Sequence, residues 1–526
     1  MHSPSGSPAS KPSSRGAAAV DTTSVGVWRA CAALSAPQAA LVGSAIVVVA
    51  GVLLAGSLNV WVDEAFTLHT TGAGPFFAWA QAVAFEAQPP LYFVLEALWR
   101  TFDETSIGFA SLPSVLFAAG AVAVIVGAAA RITPRTPPLA VALATALNPI
   151  VLWAAVEMRV YALVLLIGAA LTWTFYEGFL AEAPSPRARW WYAIFALAGL
   201  YSQYYVGFLL AAQCITILVY RRGMLRLAAE PLLFAALGFA PFVGIALVHV
   251  HASGAMVEHL SLVRAAHQIA NTVFVYVLPH DIAWSGAAKF LGFAGAALLV
   301  GALAIAGRPI VAPGPSRVFA LGWLIGLGVF SVVFTVFGAP LDILRHLIVI
   351  APASLLVAYL AISSLTRRLA LLAGLAALAF AVFTVAQLWS QYHPPIAKRG
   401  EWPRVALTLQ ENDPAIPVAV FPAELALPLN VYSPRATIAI PRPMPFTLDY
   451  VSATTLNASA DVERVLDPVR QRADRLWLVT QTPCRAWQPD AFDYHCGFLE
   501  TYLAQHYRLT RSVAFRGALA RLYVKQ

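Results

Sequence analysis

Charged residues are scarce in this sequence. Lysine, arginine, aspartate and glutamate make up 11% of the 526 residues, against roughly 25% in a typical soluble domain. Hydrophobic residues make up 59%. The composition therefore argues against a wholly soluble protein and favours one that lies largely in a membrane. Cysteine is also scarce, since there are only four, and so says little about the redox compartment.

Long apolar runs fill the chain as far as about residue 390, and many reach the ~18 residues that cross a hydrocarbon core. No signal-peptide cleavage site is evident after the first run, so we expect it to be a retained span. Residues 1–36, rich in Ser, Pro, Gly and Ala, are expected to form a disordered cytoplasmic tail. We predict eleven spans, near 39–57, 108–130, 138–154, 160–181, 190–204, 205–220, 231–249, 287–307, 318–338, 347–364 and 369–389.

The net charge of +8 could suggest a nucleic-acid partner, but its distribution argues against one. Basic residues fall in short gaps between apolar runs, a bias that marks the cytoplasmic side of a membrane protein. No nucleic acid is expected as a partner. These basic gaps include Arg131/Arg135, Arg187/Arg189, Arg221/Arg222, Arg308/Arg317 and Arg367/Arg368.

Eleven crossings that begin inside place the chain after residue 390 outside the cytoplasm. The same parity requires that 89–102, a short stretch within a first outer loop of 58–107, does not cross. A twelfth span there would move Arg131 and Arg135 to the outside, against the charge bias. We therefore predict a multi-pass plasma (inner) membrane protein with a membrane module over 37–390.

Residues 391–526 have the composition of a soluble domain. Pro417–Phe421 and Arg475–Val479 read as buried strands, and Ser512–Arg516 and Ala518–Val524 as a hairpin about Gly517. Helical patterns near 459–472 and 493–506 complete the prediction of an extracytoplasmic α/β domain. Cys484 and Cys496 fall in this domain, in a compartment that permits disulfides, and we predict that they pair.

Several ionisable groups collect on the predicted outer face. Asp63 and Glu64 follow the first span directly, and Glu157 and Arg159 stand between two later spans. Placing a charged side chain at a membrane costs free energy, so such residues usually serve a function. Each of these residues alone could also be a solvated loop acid or an interfacial anchor. Their convergence on one surface favours a shared site.

Ordered sequence blocks surround these charges. Asp63-Glu64 is followed by Gln88-Pro89-Pro90-Leu91-Tyr92, Phe109–Ser114, Asn148-Pro149 with Glu157–Leu163, and Arg345-His346-Leu347 with Pro352. In this order they resemble the GT-C glycosyltransferases, specifically the bacterial group akin to family 39 protein mannosyltransferases and lipid A aminoarabinose transferases. Two positions depart from the pattern, since Gln88 replaces a usual histidine and Ser111 a frequent arginine.

The resemblance implies a polytopic α-helical membrane protein with the GT-C fold. It also implies an inverting transferase that moves a sugar from a polyprenyl-phosphate donor to a lipid, glycan or protein acceptor at the outer leaflet. In that chemistry Asp63 suits the base, with Glu64 as helper or substitute. Arg159, Arg345 and His346 suit the donor phosphate. The remaining substrate-binding candidates are Glu157, Gln88, Pro90, Tyr92 and Tyr161.

Other functions fit the same composition. A lipid-linked glycan polymerase or ligase would use a similar substrate, and a flippase-type transporter would also carry intramembrane charges. A degenerate relative without activity is a further alternative. No cofactor is firmly implied, no residue is assigned to a metal, and a divalent cation held by the acids is the minority alternative. Sequence indicates neither the sugar, the acceptor nor the oligomeric state.

Overall fold

The computed structural model describes residues 34–55, 58–254, 314–337, 348–363, 400–411, 414–481 and 496–526. Arg345, His346 and Cys484 lie outside these residues, as do the spans predicted at 287–307 and 369–389. The predicted phosphate roles of Arg345 and His346 and the predicted Cys484–Cys496 disulfide therefore stay predictions.

The described part of the membrane module is helical throughout. Within the described residues, four segments are long and apolar enough to cross a bilayer: Ala36–Ala55, Ile107–Ile132, Tyr161–Leu180 and Arg222–His249. The protein is therefore a multi-pass membrane protein. Its helices in chain order are α1 Ala36–Ala55, α2 Val62–Thr70, α3 Pro75–Ala84, α4 Leu91–Arg100, α5 Ile107–Ile132, α6 Pro138–Ala146, α7 Pro149–Val156, α8 Tyr161–Phe175, α9 Pro186–Leu200, α10 Val206–Tyr220, α11 Leu225–Phe239, α12 Val243–Gly254, α13 Pro315–Phe337 and α14 Ala351–Ser363.

The span predicted at 138–154 is not one straight helix. It consists of α6 and α7, which meet at an angle of 54°. The first part ends at Ala146, and Asn148 caps the start of the second, where its side-chain oxygen accepts a hydrogen bond from the backbone N–H of Ile150 at 3.0 Å. Pro149, the first residue of α7, has no backbone N–H and disfavours helical geometry at Asn148, which explains why the helix is interrupted at this point.

The stretch at 89–102 folds as α4, which is ten residues long. At 1.5 Å per residue it spans about 15 Å, half of a hydrocarbon core. Its length agrees with the prediction that this stretch does not cross the membrane. It follows α2 and α3, so the loop predicted at 58–107 is itself largely helical.

Close helix packing holds the module together. A Cβ added at Gly43 of α1 would lie 2.8 Å from Val122 of α5 and 3.2 Å from the Cβ of Ala142. One added at Gly168 of α8 would lie 2.5 Å from the carbonyl oxygen of Val349. Glycine at these positions lets backbones approach closely, which is how helices associate where lipid removes the hydrophobic drive.

In the part of the C-terminal domain that the structure describes, a five-stranded sheet has helices on both faces. Its strand order is β2-β1-β3-β5-β4, with β1 parallel to β2 and β3 and the remaining pairs antiparallel. The predicted strands and the hairpin about Gly517 are confirmed, and φ of Gly517 is 70°, a left-handed value that glycine adopts readily. The elements are α15 Trp402–Gln410, β1 Val418–Phe421, α16 Ala426–Tyr432, β2 Thr437–Ala439, α17 Tyr450–Thr454, α18 Ser459–Arg472, β3 Arg475–Thr480, α19 Gly497–His506, β4 Tyr507–Phe515 and β5 Ala518–Lys525.

The alternating directions of the side chains along β1 explain how this strand contributes to the cores on both faces of the sheet. Val418 and Val420 pack with Trp402 and Leu429 of α15 and α16. Ala419 and Phe421 of the same strand belong to the core formed with α18 and α19. Because successive side chains of a strand point to opposite faces, one apolar strand can serve both layers.

The domain docks on the 58–107 loop. The hydroxyl of Tyr432 accepts a hydrogen bond from the backbone N–H of Val60 at 2.6 Å. The side-chain amide of Asn59 donates to the carbonyl of Gly400. Val62, at the start of α2, packs against the core of the domain that contains α15 and α16. The segment that carries the two predicted catalytic acids therefore lies between the membrane module and the domain.

Candidate functional site

The start of α2 presents two adjacent acids in different ways. Glu64 is 2% exposed, and its carboxylate accepts the backbone N–H of Trp61 at 3.3 Å and that of Met158 at 2.8 Å. The first contact closes the amino end of α2, where backbone N–H groups favour negative charge. The second ties α2 to the chain between α7 and α8. Glu64 therefore has a clear structural role.

Asp63 is half-buried and is the more accessible of the two acids. Its backbone carbonyl accepts a hydrogen bond from Nη1 of Arg159 at 3.0 Å. The predicted convergence of the first outer loop with the 157–159 segment is thus observed in atomic contacts. Sequence topology had placed both at the outer face, and the structure brings them together.

Arg159 is paired with a carboxylate that the sequence analysis missed. Its Nη1 lies 2.9 Å from Oε2 of Glu86, and the two side chains are 6% and 2% exposed. Thr67 accepts from the same Nη1 at 3.0 Å, and Thr70 donates to the other oxygen of Glu86 at 3.0 Å. Glu86 lies between α3 and α4 outside any periodic pattern, so nothing in its spacing identified it.

Electrostatics keep Arg159 protonated. Burial disfavours its charge, but the carboxylates of Glu86 and Asp63 outweigh that cost and raise its pKa. Burial also raises the pKa of Glu86, against the lowering effect of Arg159. Because an arginine does not release its proton at neutral pH, and two donors bind the Glu86 oxygens, the pair is ionised there.

One edge of the Arg159 guanidinium is unused. Among the described residues, Nη2 makes no hydrogen bond, and Nε is buried without a partner. These two N–H groups point the same way, in the geometry that binds a phosphate or carboxylate with two parallel hydrogen bonds. The arrangement can therefore hold an anion beside Asp63 while Glu86 fixes the other side of the guanidinium.

The other predicted substrate residues lie close by but are mostly enclosed. Glu157 is fully buried and accepts from the indole Nε1 of Trp61 at 2.9 Å. Tyr161 is 1% exposed, with its ring 4.8 Å from that of Trp153. Tyr92 of α4 is also fully buried. These side chains shape the interior next to the acids.

Gln88 and Pro90 lead into α4 from the segment that carries Glu86. Gln88 is half-buried, and its backbone N–H donates to the carbonyl of Ala82 at 3.3 Å. Pro90 is buried and immediately precedes α4, whose first N–H, from Leu91, donates to the carbonyl of Tyr201 at 2.9 Å. These contacts fix the course of the chain between Glu86 and Tyr92.

The C-terminal domain adds aromatic side chains to this region. The ring of Tyr450 lies 5.8 Å from that of Phe66 and 5.6 Å from that of Phe85. Phe446 stacks on His69 and lies 5.2 Å from Phe85. No local sequence signal connects residues so distant along the chain, and the sequence analysis missed them.

Metal binding has no support within the described ranges. No group of three or more His, Cys, Asp or Glu side chains there is arranged to hold an ion. The guanidinium of Arg159 instead supplies positive charge next to Asp63. A cation in the site stays an untested alternative.

Comparisons with known proteins bear on the fold. Neither a protein-family model nor a curated protein sequence matches this chain. Among solved structures, apo ArnT from Cupriavidus metallidurans is similar with a TM-score of 0.58 and 13% identity, covering 92% of this chain and 97% of that one. ArnT from the same organism bound to undecaprenyl phosphate gives a TM-score of 0.51 at 14% identity, with the same coverage.

Proposed function

We propose that this chain, in which the predicted GT-C fold is confirmed by its likeness to ArnT, is a membrane glycosyltransferase. It takes a sugar from a polyprenyl-phosphate donor and passes it, with inversion, to a lipid, glycan or protein acceptor. The reaction takes place at the outer leaflet of the plasma (inner) membrane, with the N-terminus cytoplasmic and the C-terminal domain outside. One observation carries the proposal: the half-buried Asp63 stands beside a buried arginine with an unused donor edge.

Asp63 acts as the general base. Its carboxylate takes the proton from the acceptor hydroxyl, and the acceptor oxygen attacks the anomeric carbon of the donor sugar. The bond from that carbon to the phosphate oxygen breaks, and its electrons remain on the departing lipid phosphate. Attack from the face opposite the leaving group inverts the anomeric centre. The greater exposure of Asp63 supports it over Glu64, whose carboxylate binds two backbone N–H groups.

Arg159 holds the donor phosphate through Nε and Nη2. A guanidinium gripping phosphate by two parallel bonds stabilises the charge that builds up as the lipid phosphate leaves. Glu86 orients the side chain from behind through Nη1. Arg345 and His346 are proposed as further phosphate ligands, and Glu157, Gln88, Pro90, Tyr92 and Tyr161 as the groups that shape the substrate pocket.

The lipid part of the proposal has independent support. The second ArnT structure contains undecaprenyl phosphate, and its fold matches this chain over nearly its full length. A polyprenyl-phosphate partner is therefore the donor class we assign. The apolar helices α1, α5 and α8 provide the membrane environment that a prenyl chain needs.

Donor consumption tests the proposal. Purified protein in nanodiscs would be given undecaprenyl phosphate linked to mannose, glucose, arabinose or aminoarabinose, together with an envelope lipid extract as acceptor. Mass spectrometry should show loss of one donor and appearance of undecaprenyl phosphate, and Asp63→Asn should abolish both changes. Glu177→Gln, at an ion pair remote from the site, is the control.

Wild-type protein that consumes none of these donors would contradict the assignment. Transfer of an intact donor lipid between leaflets without its consumption would instead favour the flippase-type alternative.

A further inference from the structure

Tyr450 is one of the side chains by which the C-terminal domain reaches the proposed site. Tyr450, the first residue of α17, packs its ring edge-on against Phe66 and Phe85. Phe66 lies three residues after Asp63 on α2, close to one helical turn, and Phe85 directly precedes Glu86. The two rings that hold Tyr450 thus belong to the two segments that supply the carboxylates of the site.

The surroundings of the Tyr450 hydroxyl are strongly charged. Burial raises the pKa of Tyr450, and the carboxylates of Glu424, Asp63 and Glu86 raise it further, against Arg159. The hydroxyl therefore stays protonated and can donate a hydrogen bond at neutral pH. Glu424 comes from the same domain and is 6% exposed.

The same hydroxyl has no hydrogen-bond partner among the described residues, although its ring is half-buried. Tyr432 and Tyr502 of the same domain do have one, with the N–H of Val60 and the carboxylate of Asp467. A protonated, polar group held beside acids and an arginine by two aromatic rings is arranged to receive a ligand.

We propose that Tyr450 binds a hydroxyl group of the transferred sugar, so that the C-terminal domain forms part of the donor-sugar site. The inference rests on the proposed function. In that reaction the sugar lies between the base that receives the acceptor proton and the arginine that holds the phosphate. Tyr450 packs on Phe66, which follows Asp63 on α2, and on Phe85, which precedes the partner of Arg159, so its hydroxyl is placed near the sugar. Sugar selectivity then depends in part on the domain.

A binding measurement separates this role from packing. Full-length protein in nanodiscs would be titrated with undecaprenyl phosphate and with the mannosyl, glucosyl, arabinosyl and aminoarabinosyl forms of that lipid. Tyr450→Phe keeps the ring contacts and removes only the hydroxyl. We expect affinity for the best-bound sugar lipid to fall about two- to tenfold, as for loss of one hydrogen bond, with affinity for undecaprenyl phosphate unchanged.

Tyr507→Phe is the matched control, because Tyr507 is also buried in the domain but packs in the core on the α18 and α19 side of the sheet. It should bind every lipid as wild type does. If Tyr450→Phe leaves all affinities unchanged, or weakens both lipid classes equally, the inference is overturned while the proposed function stands. If wild-type protein binds none of the lipids, the proposed function falls and the inference with it.

Discussion

Two buried acids, ten residues apart, lie in very different surroundings. Glu86 has a side chain 2% exposed, and both of its oxygens are bound, one by Arg159 and the other by Thr70. Glu96 on α4 is 1% exposed, and neither of its oxygens has a hydrogen-bond partner among the described residues. Arg100, one turn further on, instead donates to carbonyls and a hydroxyl.

The difference decides which acid carries charge. Burial raises the pKa of Glu96 to about 8, with Arg100 opposing only in part, so this acid is neutral at pH 7. Glu86 remains ionised because its partner is a permanent cation. Burial alone therefore does not mark a functional acid. The partner separates a charged site from a neutral interior group.

The largest expected effect comes from a substitution in the charged site around Arg159. Asp63→Asn keeps the shape of the side chain but removes its basicity, so we expect the transfer rate to fall about a hundred- to ten-thousandfold. Glu64→Gln should reduce the rate less, because Glu64 has a structural role and its amide oxygen still accepts one of the two N–H groups, from Trp61 or Met158, that bind the separate carboxylate oxygens in the wild type. Single-turnover kinetics with folded variants measures both. A dead Glu64→Gln beside an active Asp63→Asn would reverse the roles.

Glu86→Gln should destabilise the protein. The change leaves the buried guanidinium of Arg159 without its counter-charge, and breaking a buried pair by removing one partner typically costs about 3–5 kcal/mol. The amide can still accept one hydrogen bond, so the lower end is expected. The thermal transition in detergent at pH 7 measures this, and an unchanged midpoint would show that the pair is not formed.

Glu96→Gln should have the opposite effect and stabilise the protein. The folded state of the wild type holds a proton on Glu96 that the unfolded chain releases near pH 4.5, so stability falls as pH rises from there through about 8. The glutamine amide does not titrate, so the variant does not lose stability as pH rises in this range. It should be more stable than wild type at pH 7 by up to about 3 kcal/mol. Midpoints from pH 5 to 9 should slope downward for wild type relative to Glu96→Gln. Parallel profiles would count against a neutral Glu96, and exposed Glu104→Gln serves as control.

Part of this arrangement could be predicted from sequence. Span lengths and the basic gaps predicted that Asp63 and Arg159 lie on one face, because both stand at the ends of predicted spans on the same side of the membrane. The hairpin about Gly517 and the strands at 418–421 and 475–480 followed from their apolar patterns. The Asn148-Pro149 dipeptide is a local signal for the break between α6 and α7, which the prediction of one span over 138–154 did not use.

The features that could not be predicted from sequence depend on tertiary contacts. Glu86 pairs with a residue 73 positions away, and Tyr450 meets Phe66 across the boundary between the membrane module and the domain. The strand β2 is only three residues long, too short to show alternation. Such features have no local periodicity, because their partners come from elsewhere in the chain.

The central claim is that the Nε–Nη2 edge of Arg159 holds the lipid phosphate. Arg159→Lys is the variant that tests this contact. A lysine ammonium can keep the ion pair with Glu86 but cannot donate the two parallel hydrogen bonds of the Nε–Nη2 edge. Undecaprenyl phosphate binding to protein in nanodiscs is the measurement, with Arg131→Lys at an exposed ion pair as control. We expect the affinity of Arg159→Lys for undecaprenyl phosphate to be about ten- to a hundredfold weaker than that of wild type, with thermal stability near wild type. Wild-type affinity in that variant would contradict the central claim.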